Sequence, residues 1–137
     1  MSVDCRTEHP GAFRQVVRID AHTLHADVGV ALGGLNSAPG PHDYFDASLA
    51  ACKALTATWY AKKNGMALDR VEAHVERDDS RERQGTYVLK VKVAFFGALS
   101  DADKQKLYDV VSRCPVHKLM TTTDVQIETA PLAPGAV

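Results

Sequence analysis

The sequence predicts an α+β fold made of antiparallel strand pairs and one long, alanine-rich helix. Apolar and polar residues alternate in two separate parts of the chain, and each part is long enough for two strands. The segment between them has helical periodicity instead. With 137 residues, 45% of them hydrophobic, the chain suits a single domain, 1–137, with a loose tail from about residue 130.

The first strand pair is predicted near the N-terminus. Residues 13–19 alternate in polarity, Asp20 and Ala21 supply a turn, and a second strand follows near 22–30. Residues 33–41 are too rich in glycine and proline for a regular element, so they form a loop. The residues before the hairpin, including Cys5, are expected to be mobile, which makes Cys5 incidental to function.

A long helix is predicted from His42 to about Asn64. Its apolar stripe has spacings of three and four residues and consists of Phe45, Leu49, Cys52, Leu55 and Trp59. The segment also holds six alanines, which favour a helix and leave room for another backbone to approach closely. Gly65 can end the helix.

The second half of the chain predicts a further strand pair and two helices. Residues 71–75 and 87–95 alternate in polarity and form an antiparallel pair. Ser100 caps a helix that runs to about residue 113, and a shorter helix spans about 115–121. A last strand is expected around Val125 and Ile127.

Composition excludes several kinds of partner. Lysine and arginine total 16 against 17 acidic residues, so the net charge of −1 offers no surface for nucleic acid or an anionic membrane. No secretion signal and no apolar stretch of membrane-spanning length is present, so we expect a cytoplasmic protein. Three cysteines, an odd number, do not form a disulfide framework and are expected to be free, catalytic or metal-binding.

Cys114 is the most informative of the three cysteines because Pro115 follows it directly. Proline is favoured at the first position of a helix, which places Cys114 at the N-cap. There the unpaired backbone N–H groups and the helix dipole favour a thiolate, and His117 lies one turn further on. The alternative is a small buried residue that caps the helix without reacting.

Cys52 lies on the apolar stripe of the long helix, so its simplest interpretation is a packed core residue. Burial raises the pKa of a thiol, and a reactive Cys52 would therefore need a nearby cation or hydrogen-bond donor. Arg14 and Arg18, four residues apart on one face of the first predicted strand, are the candidates. The alternative for each arginine is a solvated strand face.

Metal binding is the main competing chemistry. Cys52, Cys114, His117 and His42 could hold zinc only if the fold brings them together. His22 and His25 form another pair, but odd spacing on a strand sends them to opposite faces. We expect neither a metal ion nor another cofactor.

Two motifs together carry a family resemblance. The run from Gly40 to Thr56, GPHDYFDASLAACKALT, followed some sixty residues later by Cys114-Pro115-Val116-His117, resembles the OsmC/Ohr family, in its OsmC-like and YhfA-like branches. The similarity extends from about His22 to the last predicted strand. It implies an intertwined homodimer in which long cysteine-bearing helices lie centrally, wrapped by antiparallel sheets.

The resemblance also implies an activity, which is thiol-dependent reduction of organic hydroperoxides in oxidative stress defence. Cys52 matches the peroxidatic cysteine and Cys114 the resolving cysteine, and a dithiol reductant resets the pair. The family's arginine corresponds to Arg18, with Arg14 second. His42 and Asp43 stand where the family has a glutamate, and Asp43 is the carboxylate that could replace it.

Three interpretations remain. The protein is a homodimeric thiol peroxidase, a hydrophobic-ligand-binding or stress-associated module that keeps the fold, or a protein whose cysteines only pack. The presence of both cysteines favours the peroxidase.

Overall fold

The computed structural model describes all 137 residues, in two compact units. The first unit contains residues 1–44 and 127–137, and the second contains residues 45–126. The mixture of helices and antiparallel sheets confirms the predicted α+β class. None of its helices combines the length and the hydropathy that a membrane-spanning segment needs.

The first unit contains a three-stranded antiparallel sheet in the order β1-β2-β3. Its strands are β1 (Val3–Thr7), β2 (Gln15–Ile19) and β3 (His22–Ala26). The predicted hairpin is confirmed, and Asp20 in its turn adopts a left-handed conformation with φ of 50°. The expectation of a mobile N-terminus is wrong, because Cys5 lies in β1 opposite Val17.

The loop that follows β3 is organised by the buried carboxylate of Asp27. It accepts hydrogen bonds from the backbone N–H groups of Val28, Leu35 and Ser37 and from the Ser37 hydroxyl. Glycine is required at position 34, where a Cβ atom would lie 2.3 Å from the carbonyl oxygen of Val28. The loop predicted from glycine and proline content is thus present, and it is tightly hydrogen-bonded.

The second unit combines helices with a two-stranded antiparallel sheet. Its elements are α1 (Pro41–Lys63, whose first turn belongs to the first unit), β4 (Leu68–Asp78), β5 (Val88–Gly97), α2 (Asp101–Val111) and α3 (Pro115–Thr121). The predicted caps are confirmed, since the Ser100 side chain accepts from the Asp103 N–H at 3.1 Å and Cys114 is the N-cap of α3. Both signals are local, which is why the sequence reveals them.

The buried face of α1 differs from the predicted stripe. Phe45, Leu55 and Trp59 are 46%, 69% and 59% exposed. The buried positions are Asp46, Leu49, Lys53, Ala57 and Ala61. Leu49 is the member of the predicted stripe that is buried, and further along the helix the small side chains of Ala57 and Ala61 allow close packing on the same face.

The core of the second unit forms where the buried face of α1 meets β5 and α2. It consists of Ala57, Ala61, Phe95, Leu107 and Val111. Leu107 is fully buried, as expected from the apolar face of α2. The core therefore fixes α1 against the end of α2 that leads into Cys114.

The strand expected around Val125 and Ile127 is absent, and that prediction was wrong. Residues 124–137 form neither helix nor strand, and both side chains are exposed. A strand requires a neighbouring edge for its backbone hydrogen bonds, and no strand pairs with this segment.

Candidate active site

Cys52 lies in the middle of α1, half-buried, beside the start of α3. The backbone N–H of Val116 donates to its Sγ atom at 3.4 Å, and the Thr56 hydroxyl oxygen lies 3.8 Å from the same sulfur. Cys52 is a free thiol. Donors directed at sulfur favour the thiolate, which is the nucleophilic form of cysteine.

Cys114 is also a free thiol, but it is completely buried. Burial raises the pKa of this thiol, while the backbone N–H of His117 and the positive charge of Lys53 oppose the rise. The start of α3 thus contributes in the expected direction, through the His117 N–H, but the net pKa of Cys114 is raised. Desolvation outweighs the backbone contribution at this position.

The structure brings the two cysteines together. A side-chain hydrogen bond and the charge of Cys52 both contribute to the raised pKa of Cys114, so the two thiols are direct neighbours. Cys52 is half-buried, whereas Cys114 is completely buried. Such a pair can form a disulfide once one sulfur has been oxidised.

Cys52 opens onto a groove of about 830 Å³. The groove is mainly apolar and is bordered by Leu55, Trp59, Val110 and Val116, with Arg113 and Lys118 also lining it. Ligand sites of this kind hold apolar molecules and orient them by a few polar groups. The groove therefore suits an organic ligand whose reactive group meets the Cys52 sulfur.

Lys53 is a site residue that sequence analysis missed. It is 5% exposed, its Nζ atom donates to the carbonyl oxygen of Val111 at 2.7 Å, and the same nitrogen lies 3.5 Å from Nδ1 of His117. A signal existed, because Lys53 stands four residues after Leu49 and four before Ala57. Treating Leu49, Ala57 and Ala61 as core positions would have placed this lysine on the buried face.

The two candidate arginines belong to the first unit, whereas Cys52 belongs to the second. Arg14 is engaged within its own unit: its Nε donates to Glu8 at 2.9 Å and its guanidinium to the Ser37 hydroxyl at 2.8 Å. Arg14 also lowers the pKa of Glu8. Arg18 is exposed on β2, opposite Asp4. Activation of Cys52 by either arginine stays a prediction.

Asp43 lies in the first turn of α1, where its carboxylate accepts from the backbone N–H of Gly40 at 2.8 Å. This contact satisfies a donor at the helix start, as an acidic residue three positions after an N-cap does. His42, beside it, is exposed. The assignment of Asp43 in place of the family glutamate stays a prediction.

A second buried carboxylate, Asp46, was also missed. It pairs with Arg77 at 2.6 Å and accepts from the Tyr87 hydroxyl at 2.7 Å. Burial, together with the hydrogen bond to Asp46, raises the pKa of Tyr87 to about 12. This network ties α1 to β4, through Arg77, and to Tyr87, the residue directly before β5.

The candidate metal ligands named above are not arranged as a metal site. No group of three or more histidine, cysteine, aspartate or glutamate side chains lies close enough together to hold a metal ion. The set of Cys52, Cys114, His117 and His42 is therefore not assembled as a ligand shell. His117 instead faces the Lys53 ammonium group through Nδ1.

The chain is similar to known proteins both in its fold and in its sequence family. An OsmC like protein from Mycoplasma pneumoniae has 17% sequence identity and a TM-score of 0.68, and the match covers 88% of this chain and 86% of that chain. An organic hydroperoxide resistance protein from Elizabethkingia anophelis has 18% identity and a TM-score of 0.62, with 88% of this chain and 86% of that chain covered. The organic hydroperoxide resistance protein OhrB of Bacillus subtilis has 20% identity and a TM-score of 0.58, with 88% of this chain and 90% of that chain covered. No curated protein is detectably similar in sequence. At these identities the structures show the fold.

The family assignment comes from the sequence itself. The family model described as OsmC-like protein matches residues 34–130, which include both Cys52 and Cys114. This match spans more than half of the chain and confirms the resemblance carried by the two cysteine motifs. The chain belongs to the OsmC-like protein family.

Proposed function

We propose that this protein is a thiol-dependent peroxidase that reduces organic hydroperoxides through Cys52 and Cys114 in oxidative stress defence. The observation that carries the proposal is a half-buried thiol at an apolar groove with a second, fully buried thiol beside it. Membership of the OsmC-like family supports it, as do fold neighbours described as organic hydroperoxide resistance proteins.

Cys52 is the nucleophile in this proposal because it lines the groove, whereas Cys114 is buried. Its thiolate attacks the terminal oxygen of the hydroperoxide, the O–O bond breaks, and the alkoxide leaves and takes up a proton to become an alcohol. The sulfur is oxidised to a sulfenic acid. The Val116 N–H supports the thiolate before attack.

Cys114 completes the oxidative half of the cycle. Its sulfur attacks the Cys52 sulfur of the sulfenic acid, the S–O bond breaks, and the hydroxide that leaves is protonated to water. The product is a Cys52–Cys114 disulfide. A dithiol reductant then restores both thiols by two successive exchange steps and is itself oxidised to a disulfide.

The apolar lining of the groove favours organic hydroperoxides over hydrogen peroxide. Leu55 and Trp59 offer surface that an alkyl or aryl group can cover, and burial of apolar surface is favourable by about 25 cal/mol per Å². Hydrogen peroxide has no such group. The proposed substrate class is therefore a hydroperoxide with a hydrophobic body.

The remaining assignments belong to the same proposal. Arg18, with Arg14 as the second choice, stabilises the Cys52 thiolate, and Asp43 orients the arginine. The working form is a homodimer, because Phe45, Leu55 and Trp59 leave one side of α1 covered with exposed apolar side chains. In that form residues 1–137 act as a single OsmC-like domain.

Anaerobic thiol counting tests the proposal most directly. In a Cys5→Ser background, which removes the exposed third thiol, one equivalent of cumene hydroperoxide should consume two thiols and yield one equivalent of cumyl alcohol. Peptide mapping should locate a Cys52–Cys114 disulfide. Unchanged thiol content after prolonged incubation would refute the peroxidase.

The same groove supports a second candidate, a binding protein for hydrophobic ligands with little or no peroxidase activity. Its size suits a small organic molecule, and the buried Cys114 favours its protonated form. Tight binding of cumyl alcohol without any thiol loss on exposure to cumene hydroperoxide would favour this alternative.

A further inference from the structure

A buried lysine stands beside the cysteine pair without an acidic partner. Lys53 is 5% exposed, and its two polar contacts are the Val111 carbonyl oxygen and Nδ1 of His117. Burying an ammonium group is costly unless it is paired and hydrogen-bonded. A carbonyl dipole and a ring nitrogen supply hydrogen-bond acceptors but no compensating negative charge.

The position of the ammonium group is fixed by two different elements. Val111 is the last residue of α2, where the carbonyl end of the helix dipole favours a cation, and its carbonyl oxygen also accepts from the Cys114 N–H at 3.4 Å. His117 lies in the first turn of α3. Cys114 lies between these two residues in the chain, as the N-cap of α3. The Lys53 ammonium group therefore contacts a residue on each side of Cys114 in the chain, Val111 before it and His117 after it.

The negative group that could match this charge is a cysteine thiolate. The charge of Lys53 already opposes the rise in the pKa of Cys114 that burial causes. Lys53 is the side-chain cation among the main contributions to the pKa of that thiol. A thiolate at Cys114 would thus place one negative charge near one positive charge within a buried region.

We propose that Lys53 is a positioning residue that stabilises the Cys114 thiolate and so makes a fully buried cysteine able to resolve the Cys52 sulfenic acid. This inference rests on the proposed peroxidase function for its role in turnover. Cys114 loses its proton, its thiolate forms the S–S bond with the Cys52 sulfur, and the S–O bond breaks. The proton and the departing hydroxide leave as water.

Lys53 acts in the reductive half of the cycle by the same means. When a dithiol attacks the Cys52 sulfur of the disulfide, the bond to Cys114 breaks and Cys114 leaves as a thiolate. A leaving thiol of lower pKa departs faster. The charge of Lys53 therefore assists both formation and reduction of the same bond.

The test is a titration of Cys114 alone, which needs no peroxide. In a Cys5→Ser, Cys52→Ala background, the ultraviolet absorbance of the thiolate is followed as a function of pH. We expect Lys53→Met to lower the ratio of thiolate to thiol at Cys114 about tenfold at a given pH, equivalent to about one pKa unit. Lys53→Arg should restore it, because the positive charge is retained.

Lys62→Met is the matched control, since it removes an exposed lysine from the last turn of the same helix and should leave the titration unchanged. If circular dichroism shows that Lys53→Met does not fold, Lys53→Gln replaces it, because the amide is neutral and still a donor. A folded neutral variant that titrates like the parent overturns the inference.

The result of the Cys114 titration can be distinguished from the result of the peroxidase test. A protein that consumes no thiols with cumene hydroperoxide refutes the peroxidase, while a shifted Cys114 titration in Lys53→Met still supports the electrostatic role. In an active protein, Lys53→Met should slow disulfide formation after the first oxidation without slowing alcohol release in the first turnover. Slowing of both steps alike would contradict a role specific to Cys114.

Discussion

The backbone N–H of Val116 points at the Sγ atom of Cys52, 3.4 Å away, although it is Cys114 that caps the helix to which Val116 belongs. The start of α3 thus serves both cysteines in different ways. It buries Cys114 as its N-cap and offers a donor to Cys52, which faces the groove. The thiol that receives the donor is the one that lines the groove, and this geometry supports the proposed division of labour between the two cysteines.

The first prediction concerns the nucleophile. Cys52→Ser should abolish the first peroxide-dependent oxidation, because serine is a much poorer nucleophile towards an O–O bond at neutral pH. The measurement is cumyl alcohol formed in a single turnover, with a Cys5→Ser variant as the control that keeps full activity. Alcohol formation at the parent rate in Cys52→Ser would show that another thiol attacks the peroxide.

The second prediction concerns the resolving cysteine. Cys114→Ser should still form one equivalent of alcohol, because Cys52 is unchanged. The sulfenic acid should then persist, react with dimedone and proceed to sulfinic acid in excess peroxide. Mass spectrometry of the Cys52 peptide follows each product. An inert Cys114→Ser protein combined with an active Cys52→Ser protein would reverse the two assignments.

Local signals account for the elements that the sequence predicts well. The cap at Ser100, the proline after Cys114 and the turn at Asp20 each depend on a few adjacent residues. They can therefore be predicted without knowing how the rest of the chain packs. The family motif pairs Cys52 with Cys114, and the structure makes the two side chains neighbours. Their catalytic roles stay predictions.

Tertiary packing accounts for the features that the sequence does not reveal. Large apolar residues such as Leu55 and Trp59 suggested one face of α1, but the face that packs inward carries Ala57 and Ala61 together with Lys53 and Asp46. Whether those charges are buried depends on partners distant in sequence, Val111 and Arg77. The missing strand near Ile127 has the same origin, because pairing needs an edge that the residue pattern cannot supply.

The third prediction concerns thiolate activation. If Arg18 stabilises the Cys52 thiolate, Arg18→Ala should lower the rate of Cys52 oxidation about tenfold, which corresponds to about one pKa unit. Arg14→Ala should have the smaller effect on the rate, because Arg14 already pairs with Glu8. Stopped-flow oxidation and pH-dependent alkylation of Cys52 measure the change. Unchanged rates in both variants would remove arginine from the mechanism.

The fourth prediction concerns assembly. An obligate homodimer formed through the exposed apolar side of α1 should be broken by Leu55→Glu, because an unpaired carboxylate in an apolar interface loses its hydration. Sedimentation velocity at micromolar concentration should then show monomer. Lys106→Glu, which also introduces a carboxylate at an exposed helical position, is the control and should remain dimeric. A folded monomer in the unsubstituted protein would contradict the prediction.

The last prediction concerns pH and the loop that Asp27 organises. The Ser37 hydroxyl, followed by the backbone N–H groups of Ser37, Val28 and Leu35, lowers the pKa of Asp27 from 3.8 to about 2. Because the folded state lowers this pKa, the stabilising contribution of Asp27 is fully present above about pH 4 and is lost as the pH falls towards 2. The difference in denaturation midpoint between the parent and Asp27→Asn should therefore be largest above pH 4 and shrink below it. Asp124→Asn, at an exposed position, is the control. A difference that stays constant between pH 5 and pH 2 would show that the Asp27 carboxylate is not stabilised by these donors.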